Sequence, residues 1–251
     1  MAPLHPTYVN SNGDAMSEAL FQFWSEAGKV PGLHPRDDAD ARAAALIRKH
    51  FKTECLFGSY MGPLKSAPVV FLYTHPGLAD MDEKIPLNPK DQEINVSWRS
   101  GTSPLPGPDD HKSAWDWWTN AIRQFDIGAP EAWKDLRNKI AIFNIFAYHC
   151  GRLNNPAFSP RIPSCRVAHD WAHQYLFPKA RRGDTLVVCM AAATQWGLKR
   201  GAPPVGQLFT PEVNPAGLVY KNNEYAVQFR AIVEAAQRCI CSCSGRSVLG
   251  K

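Results

Sequence analysis

The sequence predicts an α/β protein of three layers, in which helices cover both faces of a central, mostly parallel, four-stranded sheet. Two observations lead to this prediction. Short apolar segments typical of strands alternate with longer segments of helical spacing. The clearest strand, VVFLY at residues 69–73, is continuously apolar, as expected for a strand buried on both faces. Alternation of strand and helix favours right-handed crossovers and parallel pairing.

The first half of the chain contains three predicted helices and two predicted strands. Residues 15–29 place three large apolar side chains on one face, and residues 37–51 begin with acidic and end with basic residues, which suits the helix dipole. The strand at 69–73 ends at a Pro-Gly pair. A long polar, proline-rich section follows, in which EINVSW (93–98) indicates a short strand, and residues 111–125 have helical spacing with tryptophans on one face.

The second half contains the remaining predicted elements. Apolar, β-branched segments indicate strands, and segments with helical spacing or small residues indicate helices. The predicted strands cover residues 140–146, 184–190 and 207–213, and the predicted helices cover residues 165–177, 191–199 and 225–238.

Length and composition favour one folded unit. The chain has 251 residues, 45% hydrophobic and 20% charged, which suits a single domain with a packed core. Within it we expect a helical segment at 1–50, an α/β core at 51–238 and a flexible tail at 239–251. No apolar run reaches the roughly 20 residues of a membrane helix, and the first residues lack the pattern of a signal peptide. The sequence therefore predicts a soluble, cytoplasmic monomer that contacts no membrane.

The seven cysteines do not form a recognisable metal motif. There is no Cys-x-x-Cys pair, and a disulfide framework is not expected in a cytosolic protein. Cys239, Cys241 and Cys243 could bind a metal ion, but they stand beside the predicted tail. We therefore expect neither a metal nor a cofactor. The net charge of +5 permits a nucleic-acid partner without requiring one.

The predicted topology locates the functional site. Ligands of parallel sheets bind where the carboxyl ends of the strands meet their loops. The segments in that position are residues 75–82, 144–152, the turn after Met190 and residues 214–220. We expect these segments to converge on one edge of the sheet.

These four segments, in this order, resemble motifs of the uracil-DNA glycosylase superfamily. The first strand ends in YTHPG (73–77), the second runs through FNIFAYH (143–149), the third through LVVCMAAATQWGLK (186–199), and the last motif is NPAGL (214–218). The resemblance covers roughly residues 50–238. It implies a glycosylase-like four-stranded parallel sheet, DNA as partner, no cofactor, and excision of an extruded base.

The resemblance also implies roles for particular residues. Asn144 would read the edge of the base, because a carboxamide offers a donor and an acceptor together. Asn214 stands where many members have a histidine and would donate to the departing base. Thr74 and His75 stand where members carry a water-activating acid or amide, so Asp80 or Asp82 would replace it, with Glu83 a third choice. His75 would hold water or contact the base. These departures favour a modified or damaged base over plain uracil.

Further residues would surround the base and the DNA backbone. Pro76, Gly77 and His149 would line the pocket, and Trp98, Phe146 or Tyr148 would stack on the base. Phosphate contacts would come from basic residues, namely Arg152, Lys199 and Lys221, with Arg181, Arg182 and Arg200 as additional candidates. For Phe146 the structural alternative is a place in the core, and for the basic residues it is a solvated surface.

Three functions remain open from the sequence. The first is a DNA glycosylase acting in repair or in defence against modified viral DNA. The second is a catalytically silent DNA- or base-binding module of the same fold, favoured by the missing acid. The third is a nucleotide or small-metabolite enzyme, which the absence of a glycine-rich phosphate loop and of a serine nucleophile motif disfavours.

Overall fold

The computed structural model describes residues 11–77, 89–125, 133–151, 153, 156–214, 219 and 226–242. Its helices are α1 (Ser11–Ser25), α2 (Pro35–Ala39), α3 (Ala41–His50), α4 (Pro89–Trp98), α5 (Lys112–Arg123), α6 (Trp133–Leu136), α7 (Pro163–Trp171), α8 (Phe177–Arg182) and α9 (Ala226–Ser242). A 3-10 helix (Pro156–Arg161) precedes α7, and a π-helical turn (Ala172–Leu176) joins α7 to α8. Its strands are β1 (Tyr60–Met61), β2 (Val69–Tyr73), β3 (Ile140–Asn144), β4 (Leu186–Cys189) and β5 (Leu208–Phe209).

The described strands form one sheet in the order β1-β3-β2-β4-β5. β2, β3, β4 and β5 pair in parallel, which confirms the predicted α/β class and the mostly parallel sheet. β1 is an additional, antiparallel edge strand that the sequence does not predict, because two residues are too few to show a pattern. In the register of the β2–β3 pair, Val69 lies opposite Ile140 and Tyr73 lies opposite Asn144. The two strands therefore end side by side.

Apolar layers cover both faces of the sheet. In β2, Val70 and Leu72 belong to a buried cluster that includes side chains of α1, α3, α7 and α8. Val69 and Phe71 belong to a second cluster that includes side chains of α5 and α9. This alternation explains the continuously apolar sequence of β2, since every residue of a central strand needs an apolar partner.

The segment EINVSW is helical, so its prediction as a strand was wrong. It forms the carboxyl-terminal part of α4, and the side chain of Ser97 donates to the carbonyl of Ile94 at 2.7 Å. Trp98 anchors the helix end, because its indole is buried and donates to the carbonyl of Pro104 at 3.0 Å. β-branched residues favour strands only weakly, so the strand prediction for this segment had little support from residue type.

The predicted helix at 191–199 is a series of turns instead. Ala192 and Gly197 both have left-handed backbone conformations, with φ of 56° and 66°. A left-handed residue interrupts the helical hydrogen-bond pattern, so no helix extends through this segment. Trp196 is buried within it and donates its indole N–H to the carbonyl of Tyr73 at 3.2 Å. This contact ties the turn after β4 to the end of β2.

Element boundaries also differ from the predictions. Asp40 divides the predicted helix 37–51, because its carboxylate caps α3 by accepting from the N–H groups of Arg42 and Ala43. At the other end of the chain, α9 continues to Ser242, so Cys239 belongs to this helix and not to a tail. Cys239 is buried, and its thiol donates to Oε1 of Gln207 at 3.1 Å.

Candidate functional site

The segments that follow β2 and β3 are hydrogen-bonded to each other beyond the strands. The N–H groups of Ile145 and Phe146 donate to the carbonyls of Tyr73 and Thr74, at 3.1 and 2.8 Å. Further along, the N–H of Cys150 donates to the carbonyl of Pro76 at 3.4 Å. The turn after β2 therefore has a defined position against the segment after β3, as a site on this edge requires.

A pocket of about 300 Å³ opens at this edge. It lies where the carboxyl ends of β2 and β3 meet α4 and the amino terminus of α5. Its lining combines backbone, amide, imidazole and indole groups, from Gly58, Met61, Pro76, Gly77, Asn95, Trp98, His111, Ser113, Ala114, Trp117, Asn144 and His149. The sequence predicted Pro76, Gly77, Trp98, Asn144 and His149 as site residues, and the structure brings these five together.

Asn144, which lines this pocket, has an unsatisfied acceptor. Its side chain is 2% exposed, and its Nδ2 donates to the carbonyl of Gly58 at 2.8 Å. This bond determines the orientation of the amide, because a flipped amide would oppose two oxygens. The Oδ1 atom is then buried without a hydrogen-bond partner. Such an acceptor costs about 1–3 kcal/mol, which a ligand N–H would recover.

Two tryptophans provide aromatic surface. Trp98 is a buried wall of the pocket, held by its bond to Pro104. Trp117, in α5, is 39% exposed and meets Tyr73 edge-on, with ring centroids 5.2 Å apart. Trp117 was not among the predicted site residues. The signal that could have identified it is its position off the apolar face that Trp118 and Ile122 define on α5.

Among the lining residues that the sequence did not predict are Asn95 of α4, Gly58 and Met61 in and before β1, and His111 at the start of α5. Asn95 is hidden within a segment predicted as a strand, and Gly58 and Met61 lie in a segment without a motif. His111 carries a signal that could be found, because it stands at the predicted start of a helix. In the structure it is the N-cap residue of α5, and its side chain accepts from the N–H of Ala114.

His75 is not among the residues that line the pocket. Its Nδ1 donates to the carbonyl of Pro76 at 2.9 Å, and its Nε2 lies 3.9 Å from the sulfur of Cys150. Burial lowers the pKa of His75 below the ordinary histidine value, which favours the neutral ring. The predicted contact of His75 with water or base stays a prediction, and the ring is only partly buried. The ring positions the turn after β2, whose Pro76 and Gly77 do line the pocket.

His149 joins the same turn from the other side. Its Nδ1 donates to the carbonyl of Gly77 at 2.9 Å, and its own carbonyl accepts from the N–H of Lys52 at 2.8 Å. Thr74 lies in the turn, but its side chain does not line the pocket, and its carbonyl is the acceptor for Phe146. Hydrogen bonds therefore determine the shape of this wall of the pocket.

Phe146 and Tyr148 are core residues, which corrects their prediction as stacking groups. Phe146 is fully buried and packs against Phe51 and Phe158. The hydroxyl of Tyr148 is also buried, and it donates to Oδ2 of Asp37 at 2.5 Å. Burial, and secondarily the neighbouring carboxylate, raises the pKa of Tyr148. A side chain enclosed in this way cannot stack on a ligand without unfolding its surroundings.

Asn214 does not line the pocket either. It follows β5, and β4 and β2 stand between β5 and the end of β3 in the sheet. Of residues 75, 144 and 214, only Asn144 is among the described residues that line the pocket. The convergence of all three on a base stays a prediction.

The basic residues divide into different groups. Lys199 is exposed beyond β4, so it remains a candidate for a phosphate contact. Arg200 is structural, because its guanidinium donates to the carbonyls of Cys189 and Pro211. Arg181 and Arg182 end α8 just before β4 begins, at the opposite edge of the sheet from the pocket. Several predicted residues lie outside the described residues, namely Asp80, Asp82, Glu83, Arg152 and Lys221.

A larger cleft of about 450 Å³ opens on the α7 side of the sheet. Its lining includes Ile145, Arg166, His169 and Thr194. Within the described part of the chain, no side chain that lines it carries a buried polar atom without a partner. The smaller pocket beside Asn144 is therefore the better candidate site, since it contains the feature that a ligand would satisfy.

The described residues show neither a metal centre nor a membrane span. Across the ranges that the structure covers, no three His, Cys, Asp or Glu side chains lie together in a way that could hold a metal ion. Cys243, part of the possible metal cluster, lies outside those ranges. None of the described helices combines the length and apolar character that crossing a membrane requires.

Comparison with known proteins gave no match. No family model matches the chain, and neither a curated protein nor a solved structure is significantly similar to it. The chemistry of the pocket must therefore indicate its function. Its described lining contains a buried acceptor, imidazoles and indoles, but neither Asp nor Glu. This combination suits a planar, uncharged ligand that carries N–H donors.

Proposed function

We propose that this protein is a DNA glycosylase-like enzyme that extrudes a base from DNA into the pocket beside Asn144 and hydrolyses its N-glycosidic bond. The observation that carries the proposal is the buried, unpartnered Oδ1 of Asn144. Every nucleobase that pairs presents N–H donors on one edge, and an acceptor of this kind reads them. The modified or damaged base expected from the sequence remains the favoured substrate.

The shape of the pocket supports a single base as ligand. A volume of about 300 Å³ is at the lower end of the range for small-molecule sites. Trp117 offers an indole at the pocket for stacking, an interaction worth about 1–3 kcal/mol per base. Exposed Lys199 and the net charge of +5 favour a polyanionic partner.

The sheet supports the same proposal at the level of the fold. Four parallel strands between helical layers agree with what the resemblance to the uracil-DNA glycosylase superfamily implies. The pocket lies at the carboxyl ends of the strands, where ligands of parallel sheets bind. We therefore propose the glycosylase-like fold together with the glycosylase-like activity.

The reaction needs a carboxylate that the described lining does not contain. Water adds its oxygen to C1′ of the sugar and loses one proton, while the electron pair of the C1′–N bond leaves with the base, which then takes up one proton. A carboxylate stabilises the cationic sugar and orients the water. Asp80 and Asp82 follow Gly77 closely in the sequence, and Gly77 lines the pocket. One of them is the proposed acid.

The test is excision from a panel of oligonucleotides that carry different altered bases, single- and double-stranded, with abasic sites scored by alkaline cleavage. In N144A we expect the rate on the best substrate to fall by about 10- to 100-fold, the equivalent of one lost buried hydrogen bond of about 1.5–3 kcal/mol. Asn138 provides the matched control, because it is exposed just before β3, at the opposite end of that strand.

The variants separate the outcomes. N138A should retain the wild-type rate and the wild-type melting temperature. A wild-type protein that binds DNA with steep salt dependence but excises no base would contradict the enzymatic part of the proposal. Equal rates in N144A and N138A would show that Asn144 reads no base. Binding of free nucleosides without any binding of DNA would favour the metabolite enzyme instead.

A catalytically silent base-binding module is the second candidate. It is favoured by the absence of Asp and Glu from the described lining of the pocket. The variants D80N and D82N decide between the two candidates when excision is measured beside DNA binding. For an enzyme, one of them abolishes excision and leaves DNA binding within about threefold, whereas for a silent module the wild-type protein already lacks excision.

A further inference from the structure

The amino terminus of α5 opens onto the pocket that Asn144, with its unpartnered Oδ1, also lines. His111, Ser113 and Ala114 all line this pocket, and α5 begins at Lys112. The first N–H groups of a helix have no partners within the helix and form the positive end of its dipole. Two independent features therefore face one ligand, namely a helix terminus that favours negative charge and a buried acceptor that requires a donor.

The ring of His111 has a defined tautomer in its neutral form. Its Nδ1 accepts from the N–H of Ala114 at 3.3 Å and lies 3.1 Å from the hydroxyl of Ser113. Because Nδ1 serves as an acceptor in the helix cap, the ring proton resides on Nε2. Among the described residues, Nε2 has no hydrogen-bond partner, so the N–H of this atom remains available to a ligand.

We propose that His111 is a catalytic residue that donates its Nε2–H to the atom of the extruded base on which negative charge develops as the base departs. This inference rests on the proposed glycosylase function. It gives His111 the role that the resemblance assigned to Asn214, which is not among the residues that line the pocket. His111 keeps its proton throughout, and the departing base takes its proton from water, so the step is a hydrogen bond that strengthens with the charge.

The geometry explains why this residue is suited to the role. A donor held by a helix cap needs no reorganisation when charge appears, which is the condition for electrostatic stabilisation of a transition state. The helix terminus adds to the same effect, because its dipole favours negative charge in the pocket. Asn144 can meanwhile accept from the base at its donor edge. His111 therefore donates to one atom of the base, and Asn144 accepts from another atom of the same base.

The experiment compares H111N with wild type on the best substrate of the oligonucleotide panel. Asparagine retains the N-cap but lacks the long reach of the Nε2 donor. We expect kcat to fall by about 10²- to 10³-fold, the loss seen when one such donor is removed. Affinity for a non-hydrolysable 2′-fluoro analogue of the same DNA should stay within about threefold, and the melting temperature should be unchanged.

Two further variants exclude structural explanations. H111A loses both cap and donor, so it should show the same loss in kcat together with a melting temperature lower by about 2–4 °C. H169N removes a histidine that lines the larger cleft on the other side of the sheet, and it should retain wild-type kcat. If H111N turns over within threefold of wild type, the assignment of His111 is wrong while the proposed function stands.

A second measurement covers the case in which the wild-type protein excises no base and the proposed reaction fails. Long-range ¹H–¹⁵N spectra of the ring at pH 8 should show the Nε2–H tautomer of His111. Its Nε2 resonance should move when free uracil, 5-hydroxymethyluracil or hypoxanthine is added, and the shift should be lost in N144A. An Nδ1–H tautomer, or no shift with any of these bases, would overturn the assignment independently of activity.

Discussion

The buried carboxylate of Asp37 should be one of the most sensitive positions for stability outside the pocket. Its Oδ1 accepts from the N–H of Ser164 at 2.8 Å, and its Oδ2 accepts from the hydroxyl of Tyr148 at 2.5 Å. Ser164 stands in the first turn of α7, where the N-cap residue Ile162 provides no side-chain hydrogen bond. Asp37 therefore caps α7 from α2 and holds the segment after β3 against both helices.

The expected cost of D37A follows from these two bonds. Alanine removes the acceptor of the Ser164 N–H and of the Tyr148 O–H, although the Tyr148 oxygen still accepts from the N–H of His34. Each buried donor without an acceptor costs about 1–3 kcal/mol, so we expect a loss of about 4 kcal/mol in the free energy of unfolding. In a protein of this length, 1 kcal/mol corresponds to about 2–4 °C in melting temperature, which predicts a decrease of about 8–16 °C.

The neighbouring residue provides the control. Asp38 pairs with Arg48 at 2.6 Å, but both side chains are more than half exposed, so D38A should cost less than about 1 kcal/mol. Thermal unfolding followed by near-ultraviolet circular dichroism compares the two variants. If the melting temperature of D37A lies within 2 °C of that of D38A, Asp37 does not cap α7 in solution and the assignment of Tyr148 to the core loses its support.

Two further predictions concern pH and backbone strain. Burial lowers the pKa of His34 and of His75 below the ordinary value of 6.5, so the folded protein binds fewer protons at these rings than the unfolded chain. The melting temperature should therefore fall as pH decreases below about 6.5, by less in H75Q, and an increase between pH 7 and 5.5 would contradict this. Gly206 has φ of 62°, and a Cβ there would lie 2.3 Å from the carbonyl oxygen of Arg181, so G206A should cost at least about 2 kcal/mol. G28A is its control, because the nearest atom lies 4.0 Å away, and equal unfolding temperatures of the two variants would refute the argument.

The strands of the sheet were the most predictable part of the fold. The segment VVFLY occupies β2 at the predicted bounds, because a strand between two apolar layers must be apolar at every position. The same argument located β3 and β4 to within two residues. α4 was missed because EINVSW has no strong period.

The candidate site was only partly predictable for a related reason. Ligands of parallel sheets bind at the carboxyl ends of the strands. This rule predicted Asn144, Pro76 and Gly77 as site residues, and all three line the pocket. His111 and Trp117 come from α5, a helix whose position over the end of β3 depends on the packing of Trp118 and Ile122 in the core. No local pattern in the sequence indicates where α5 packs on the sheet.

The sequence by itself determined the parallel strands β2, β3, β4 and β5 and the polar groups at their carboxyl ends, because a strand that is buried on both faces must be apolar throughout. Only the tertiary structure decided the order of the strands and the placement of the helices. The placement of α5 brings His111 to the pocket, where the sequence did not predict it. The physical reason is that strand order and helix docking depend on the combined packing of distant side chains, which no short segment records.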